Sequence, residues 1–330
     1  MKPFLYLRPT RIKETVEALA AHPNAQLIAG GTNLLDLMKR GLVSPDKLID
    51  INGLPLRKIE LQGDFLRLGA LARNSAVAQH KGVRMHHPLL IQALNAGASG
   101  QLRNMATVGG NLLQRTRCPY FYDSAFPCNK RQPQTGCGAL EGINRQHAIF
   151  GISQQNASCV AVHPSDLCVA LAALDATVRV VGPTGERRIP IGDFHRLPGD
   201  RPDRDTTLEP AELVTAVEIP VSPYTKHVHY LKVRDRASYA FALVSVAAAL
   251  DLEQNRIKTA RLALGGVAHK PWRLPEAEQL LAGQPVSEAV FRRAADAAMQ
   301  DAKALEHNAF KLKMTPNAIV EALKQAAGKS

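Results

Sequence analysis

Cys118, Cys128, Cys137 and Cys159 fall in one stretch of chain with no helical or strand periodicity. Thiolates are the ligands of soft or borderline metals and of iron–sulfur clusters. Their spacing is not that of a ferredoxin, a zinc ribbon or a Cys-x-x-Cys redox pair, so on the residues alone zinc and iron–sulfur both stay open. A fifth thiol, Cys168, stands apart in the apolar helical run Ser165–Leu174 and reads as a small buried core residue. Two further segments suit an anionic ligand: Gln26-Leu-Ile-Ala-Gly-Gly-Thr-Asn33 and Arg103-Asn-Met-Ala-Thr-Val-Gly-Gly-Asn111. Paired glycines allow close backbone approach, and free N–H groups at a turn bind phosphate oxygens. A soft-metal or cluster site beside a flavin or nucleotide site points to electron transfer.

Bulk properties narrow the class. The chain has 330 residues, enough for two domains, and 45% hydrophobic residues mark a soluble globular protein. No apolar run reaches the length of a membrane span, and the first residues, Met1–Arg8, lack a signal-peptide core, so the protein is expected to carry no export address of its own. An odd cysteine count without such a signal argues against a disulfide framework. The net charge of +12 could suggest nucleic acid, but the basic residues are scattered and aromatics are only 5%, too few for a base-stacking platform. The denser basic group, Arg115, Arg117, Lys130, Arg131, Arg145 and His147, interleaves with the cysteines and could offset an anionic cluster or flavin diphosphate. His147 and His163 are also possible ligands.

The elements that must hold these residues follow from pattern. Gln26–Ala29 reads as a strand, Gly30–Asn33 as a turn, Leu34–Arg40 as a helix and Lys47–Ile51 as a second strand, preceded by a strand near Phe4–Tyr6 and a helix from Thr10 to His22. Arg57–Glu60 with Phe65–Ala70, and Ala176–Val181 with Arg187–Ile191, read as hairpins. Pro88–Ala98 is helical. Leu213–Ile219 is a strand closed by Pro220 and Pro223, which set the boundary between domains at 1–222 and 223–330. Beyond it come strands Val228–Val233, Phe241–Leu252 and Lys258–Gly265, then helices at about 275–282, 287–304 and 316–327. Neither glycine segment is a Gly-x-Gly-x-x-Gly fingerprint or a Walker loop, which excludes an ordinary Rossmann or P-loop assignment.

Taken together, the segments resemble the flavin-binding subunit of the molybdenum hydroxylases, the group containing xanthine dehydrogenase, carbon monoxide dehydrogenase and aldehyde oxidoreductases. The resemblance rests on Ile28–Lys39, Arg103–Asn111, His163-Pro-Ser-Asp166, Lys232–Val244 and Ala263-Leu-Gly-Gly-Val-Ala-His-Lys-Pro-Trp-Arg273 in that order. It implies an α+β fold: an FAD-binding domain of the p-cresol methylhydroxylase type, built of two αβ subdomains (about 1–56 and 57–222), then a smaller α+β domain of the carbon monoxide dehydrogenase flavoprotein type. It also implies FAD contacts at Gln26, Leu27, Ile28, Ala29, Gly30, Gly31, Thr32, Asn33, Thr107, Gly110, Asn111, Asp166, Val214 and Lys232. Thr32 stands where wider relatives carry a flavin-linking His, so noncovalent FAD is expected.

The Cys-rich insertion, about 112–160, departs from the commonest family pattern. This longer form resembles flavin subunits of bacterial periplasmic aldehyde oxidoreductase and of hydroxybenzoyl-CoA reductase, and implies one [4Fe–4S] cluster on Cys118, Cys128, Cys137 and Cys159. The expected function is an electron-transfer subunit with no catalytic residue of its own. Its expected partners are a large subunit with the molybdenum cofactor, a small subunit with [2Fe–2S] clusters, and an external acceptor; no nucleic acid is among them. The alternatives are a hydroxybenzoyl-CoA reductase-like subunit and a stand-alone flavin oxidase. Export with a partner would place it in the periplasm; otherwise it is cytoplasmic. Arg236 and Tyr239 read either as flavin neighbours or as a strand-end pair.

Overall fold

The computed structural model describes residues 2–152 and 158–328; part of the Cys-rich insertion, 153–157, lies outside the described residues. Three sheets organise the chain. The first is parallel, in the order β1 (Leu5–Leu7), β3 (Lys47–Asp50), β2 (Ala25–Ile28). Register runs Leu5↔Lys47 and Ala25↔Lys47, and the helix Ile12–Ala21 makes the first crossover. Its core gathers Val16, Ala25, Ile49, Ile51 and Leu54.

The second sheet is antiparallel: β4 (Ile59–Gln62), β5 (Phe65–Gly69), β8 (Leu213–Pro220), β6 (Thr177–Gly182) and β7 (Gly185–Pro190), in that order. The third is also antiparallel: β12 (Trp272–Arg273), β11 (Arg256–Gly265), β10 (Val244–Glu253) and β9 (His227–Val233). Strand β10 shows why the molecule holds together at its middle. Its side chains alternate faces, so Ala247 and Ala249 enter the core shared with Leu66, Leu90 and Val169, while Val246, Ala248 and Leu250 enter the core shared with Phe291, Ile319 and Leu323. Both faces are apolar because both are covered, and the alanines let helices approach.

The helix Asp166–Ala173 packs on this wall with Leu167 to Ala173 all buried. Ser165 caps it by accepting a hydrogen bond from the Cys168 N–H at 3.1 Å. The expected α+β layout, with two αβ units followed by a smaller one, is observed. Among the described residues no helix is long and apolar enough to cross a membrane.

Several helices differ from expectation. The one expected at 287–304 ends at Ala297, because the chain turns so that the Lys303 N–H reaches the Ile149 carbonyl at 2.8 Å. The last helix begins at Phe310, six residues before Pro316, which therefore sits inside it. Asn74–Gln79, Lys81–His86 and Gly100–Met105 are helices too short to show a period.

Candidate flavin cleft and cysteine basin

The end of β2 and the turn after it open onto a cleft of about 370 Å³. Gln26 to Asn33 line one side, Thr107, Gly109 and Gly110 another, and Ala211–Val214 at the start of β8 a third. Gly31 has φ +71°, a left-handed conformation that favours glycine. Gly30 has no side chain for a different reason: a Cβ there would lie 1.9 Å from the Met105 carbonyl oxygen. The two glycine segments cross backbone to backbone, so this glycine first serves a contact within the protein.

Among the described residues, the N–H groups of Gly30, Gly31, Thr32 and Asn33 meet no acceptor. The Asn33 amide Nδ2 is buried without a partner, while its Oδ1 accepts from the Arg115 N–H at 3.0 Å. Asn52 fixes the turn from behind, donating from Nδ2 to the Ala29 carbonyl at 2.9 Å. A row of unused donors facing a cleft is what a diphosphate needs, so these residues fit FAD.

The second glycine segment is differently employed. Val108 and Gly109 donate their N–H groups to the Ala72 and Ala70 carbonyls at 2.9 and 2.8 Å, and Thr107 Oγ1 accepts from Gly110 N at 3.2 Å. This segment is pinned to the chain beyond β5 and presents a wall to the cleft. Asn111 lies outside the cleft; its Oδ1 accepts from Ser165 Oγ at 2.7 Å, tying the segment to the helix Asp166–Ala173.

Asp166 and Lys232 also lie outside the cleft. They form a buried ion pair at 2.7 Å, with Lys232 donating to the Ala96 carbonyl at 3.1 Å and Tyr230 Oη donating to Asp166 at 2.8 Å. Burial first, then the Asp166 charge, lifts the Tyr230 phenol well above its usual range, so it stays a donor. Asp166 borders a second cavity of about 30 Å³, next to Cys118, His147 and Phe241. Of the expected flavin contacts, Gln26–Asn33, Thr107, Gly110 and Val214 share the cleft, and Asn111, Asp166 and Lys232 do not. Arg236 stacks over Tyr239 at 5.7 Å, and Tyr239 has φ +51° and is largely exposed.

The four cysteines expected as ligands converge. Cys118, Cys128, Cys137 and Cys159 line one small cavity with Thr116, Phe121 and Lys130, although they span forty-two positions. Cys118 precedes the short helix Pro119–Tyr122, and an isolated bridge pairs Cys128 with Cys137. None is in a disulfide. Burial raises the free thiols, Cys118 to about 12 and Cys159 to about 11, so a bound metal would displace protons. Cys168 lies elsewhere, fully buried.

Three residues surround the basin: His147, already read as a possible ligand, and Lys311 and Asp205, which the sequence did not single out. His147 Nε2 lies 3.1 Å from Cys118 Sγ, and burial holds the ring neutral with a pKa of about 4. Lys311, fully buried, donates to the His147 and Gly266 carbonyls at 2.9 and 2.8 Å. Asp205 takes the charges of Arg115, at 2.7 Å, and of Lys130. Arg115 itself borders the flavin cleft, so one ion network spans the ground between cleft and basin. Only a carboxylate among basic residues could have signalled Asp205, and it lies 75 residues from Lys130.

Residues 2–222 match the family model described as FAD binding domain in molybdopterin dehydrogenase, and residues 229–326 match the CO dehydrogenase flavoprotein C-terminal domain. The chain belongs to the FAD-binding subunits of the molybdenum hydroxylases. Among these flavoproteins it is 50% identical to the aldehyde oxidoreductase FAD-binding subunit PaoB of Escherichia coli K12, over 99% of both chains. It is 29% identical to the glyceraldehyde dehydrogenase medium chain of Sulfolobus acidocaldarius, over 86% of this chain and 83% of that one. Solved structures of the same fold include quinoline 2-oxidoreductase from Pseudomonas putida 86, with TM-score 0.76 and 25% identity over 99% of both chains. Carbon monoxide dehydrogenase from Hydrogenophaga pseudoflava matches with TM-score 0.77 and 25% identity, over 99% of this chain and 98% of that one.

Proposed function

We propose that this flavoprotein is the electron-transfer subunit of a heteromeric, molybdenum-dependent aldehyde oxidoreductase, with noncovalent FAD in the cleft and a [4Fe–4S] cluster on Cys118, Cys128, Cys137 and Cys159. The observation that carries the reading is the convergence of four thiols on one cavity beside a cleft with four unused backbone donors. The 50% identity to a relative named for aldehyde oxidation supports the substrate class of the complex.

Bound FAD supplies the exchange of electron pairs for single electrons that links substrate oxidation to an acceptor. The chain's own residues do the rest. Gly30 to Asn33 hold the diphosphate through their N–H groups, and Thr107 and Gly110 wall the cleft. The Asp166–Lys232 pair, outside the cleft, fixes the helix to which Asn111 ties the second glycine segment. Arg115 and Lys130, balanced by Asp205, place positive charge between two anionic groups. Substrate chemistry belongs to a large partner with the molybdenum cofactor, and electrons arrive from a small partner's [2Fe–2S] clusters. In this reading residues 1–222 form the FAD unit and 223–330 the C-terminal unit, and the subunit reaches the periplasm by export with a partner.

Purified alone, the chain should be yellow-brown, reducible by dithionite and inert to aldehydes. Joined to the two partner subunits, it should have its FAD reduced by aldehyde. Rapid aldehyde-driven flavin reduction in the isolated chain would show a self-sufficient oxidase instead.

A further inference from the structure

The helix Asp166–Ala173 carries Cys168 into the core, where two histidines meet it. His163 comes from the segment just before the helix and His195 from the segment after Phe194. One ligand atom from each of the three lies within 4.8 Å of the other two. The His163 and His195 rings are 4.2 Å apart, centroid to centroid. Neither ring is used in the cleft or lines the cysteine basin.

The ring nitrogens are set for ligation. His195 Nε2 lies 2.9 Å from the Leu112 carbonyl, to which it donates, leaving Nδ1 deprotonated. That Nδ1 has no partner among the described residues, although His195 is only 3% exposed. His163 Nε2 is likewise buried and unpartnered, in a residue 9% exposed whose N–H is held by the Ala268 carbonyl at 3.0 Å. Leaving a buried polar atom unpaired costs about 1–3 kcal/mol. A ring whose second nitrogen donates to a backbone carbonyl is the usual state of a metal-bound histidine. His195 shows that state, His163 adds a second unpartnered imidazole nitrogen, and the thiol of Cys168 completes a buried donor set of thiolate and imidazole, which suits soft cations.

We propose that His163, Cys168 and His195 form a buried binding site for a single soft monovalent cation, Cu(I). Binding exchanges ions: Cys168 loses its thiol proton to solvent, a copper–sulfur bond replaces the sulfur–hydrogen bond, and nothing is oxidised or reduced. The exchange leaves the charge of the interior unchanged. Zn²⁺ would instead add one positive charge where Lys130 already faces His163 and Lys270 faces His195, with Asp205 the carboxylate near both. Closing three atoms from 4.8 Å onto one ion asks for a shift of about 1 Å, within reach of ring rotation.

The test uses the full chain purified with its cofactors and equilibrated anaerobically with Cu(I) as its acetonitrile complex, with Zn²⁺ as a parallel arm. Metals, iron and flavin are counted after desalting. One copper per chain is expected, with iron and FAD unchanged and one sulfur and two nitrogens around the metal by X-ray absorption. Cys168→Ala and His163→Gln should each lower copper more than tenfold; should one fail to fold, the other and the absorption spectrum still decide. Copper retained in both variants, copper gained only as iron is lost, no copper retained, or zinc held in preference to copper would each overturn the proposal. None of these readouts depends on turnover, so the site stands or falls apart from the proposed enzyme.

Discussion

The flavin cleft and the cysteine basin are neighbours built on opposite principles. The cleft is a backbone site: its donors are N–H groups, its shape depends on a left-handed glycine and a bare glycine, and its neighbours are strand ends. The basin is a side-chain site: four thiols and one imidazole from a segment with only short helices, with a buried lysine brought in from the last helix. A backbone site tolerates changes of side chain that leave the turn intact and fails when a Cβ is added at the crossing. A side-chain site fails atom by atom, and fails alone.

The largest effect should come from Gly30→Val. Its Cβ would meet the Met105 carbonyl at 1.9 Å, backbone against backbone, so neither side can give way. FAD occupancy should fall below a tenth and the melting temperature with it. Gly110→Ala, whose Cβ meets only Thr107 Oγ1 at 3.1 Å, should keep most of its flavin. Full FAD in Gly30→Val would mean that the crossing does not shape the cleft.

Next, Cys→Ser at 118, 128, 137 or 159 should remove iron and acid-labile sulfide while FAD stays near one per chain. Cys168→Ser should keep both, at most losing stability through a buried hydroxyl. Iron lost from Cys168→Ser but not from Cys159→Ser would reverse the ligand set. If FAD departs with iron in every variant, the two sites are one cooperative unit and the comparison fails.

Asp166→Asn tests the buried ion pair that lies outside both regions. It leaves the Lys232 ammonium almost fully buried without a counter-charge, which costs about 3–5 kcal/mol. Denaturant unfolding should show that loss, and pairing the change with Lys232→Met should recover much of it. An unchanged midpoint would mean that the pair adds no stability.

Asp205 gives a smaller, pH-dependent effect. Burial alone would raise its pKa, but Lys130 and Arg115 outweigh burial and hold it at about 2. A carboxylate depressed below its unfolded value of about 3.9 stabilises the fold above that pH, and the contribution is lost as pH falls through about 2. The contribution is about 2 kcal/mol, and Asp205→Asn should flatten stability between those limits. An identical acid profile in the variant would remove Asp205 from the network. Smallest of all, His147→Phe should keep iron but lower the cluster's reduction potential, because a hydrogen bond to Cys118 sulfur is gone; an unmoved potential would show that the contact does not tune the cluster.

What could be read from the sequence follows the same division. The strand and turn of the first glycine segment were legible because period-2 and period-3.6 patterns meet at Gly30-Gly31. The cysteines were legible as a type but not as a place, since Cys118 and Cys159 are joined only by tertiary folding. The separation of Asp166 and Lys232 from the cleft was not legible: a pair 66 residues apart leaves no local signal. Pro316 misled because proline usually sits at the first helical turn. The turn before it exists to carry Lys311 under His147.

The central claim is the proposal that this chain holds a flavin by its backbone and a polynuclear cluster by four side chains. The most direct measurement is a cofactor count on the isolated chain: flavin released by acid, iron, labile sulfide and zinc. The account predicts one FAD in the supernatant with four iron and four sulfide per chain. Zinc in stoichiometric amount without sulfide, or flavin retained in the acid precipitate, would contradict it.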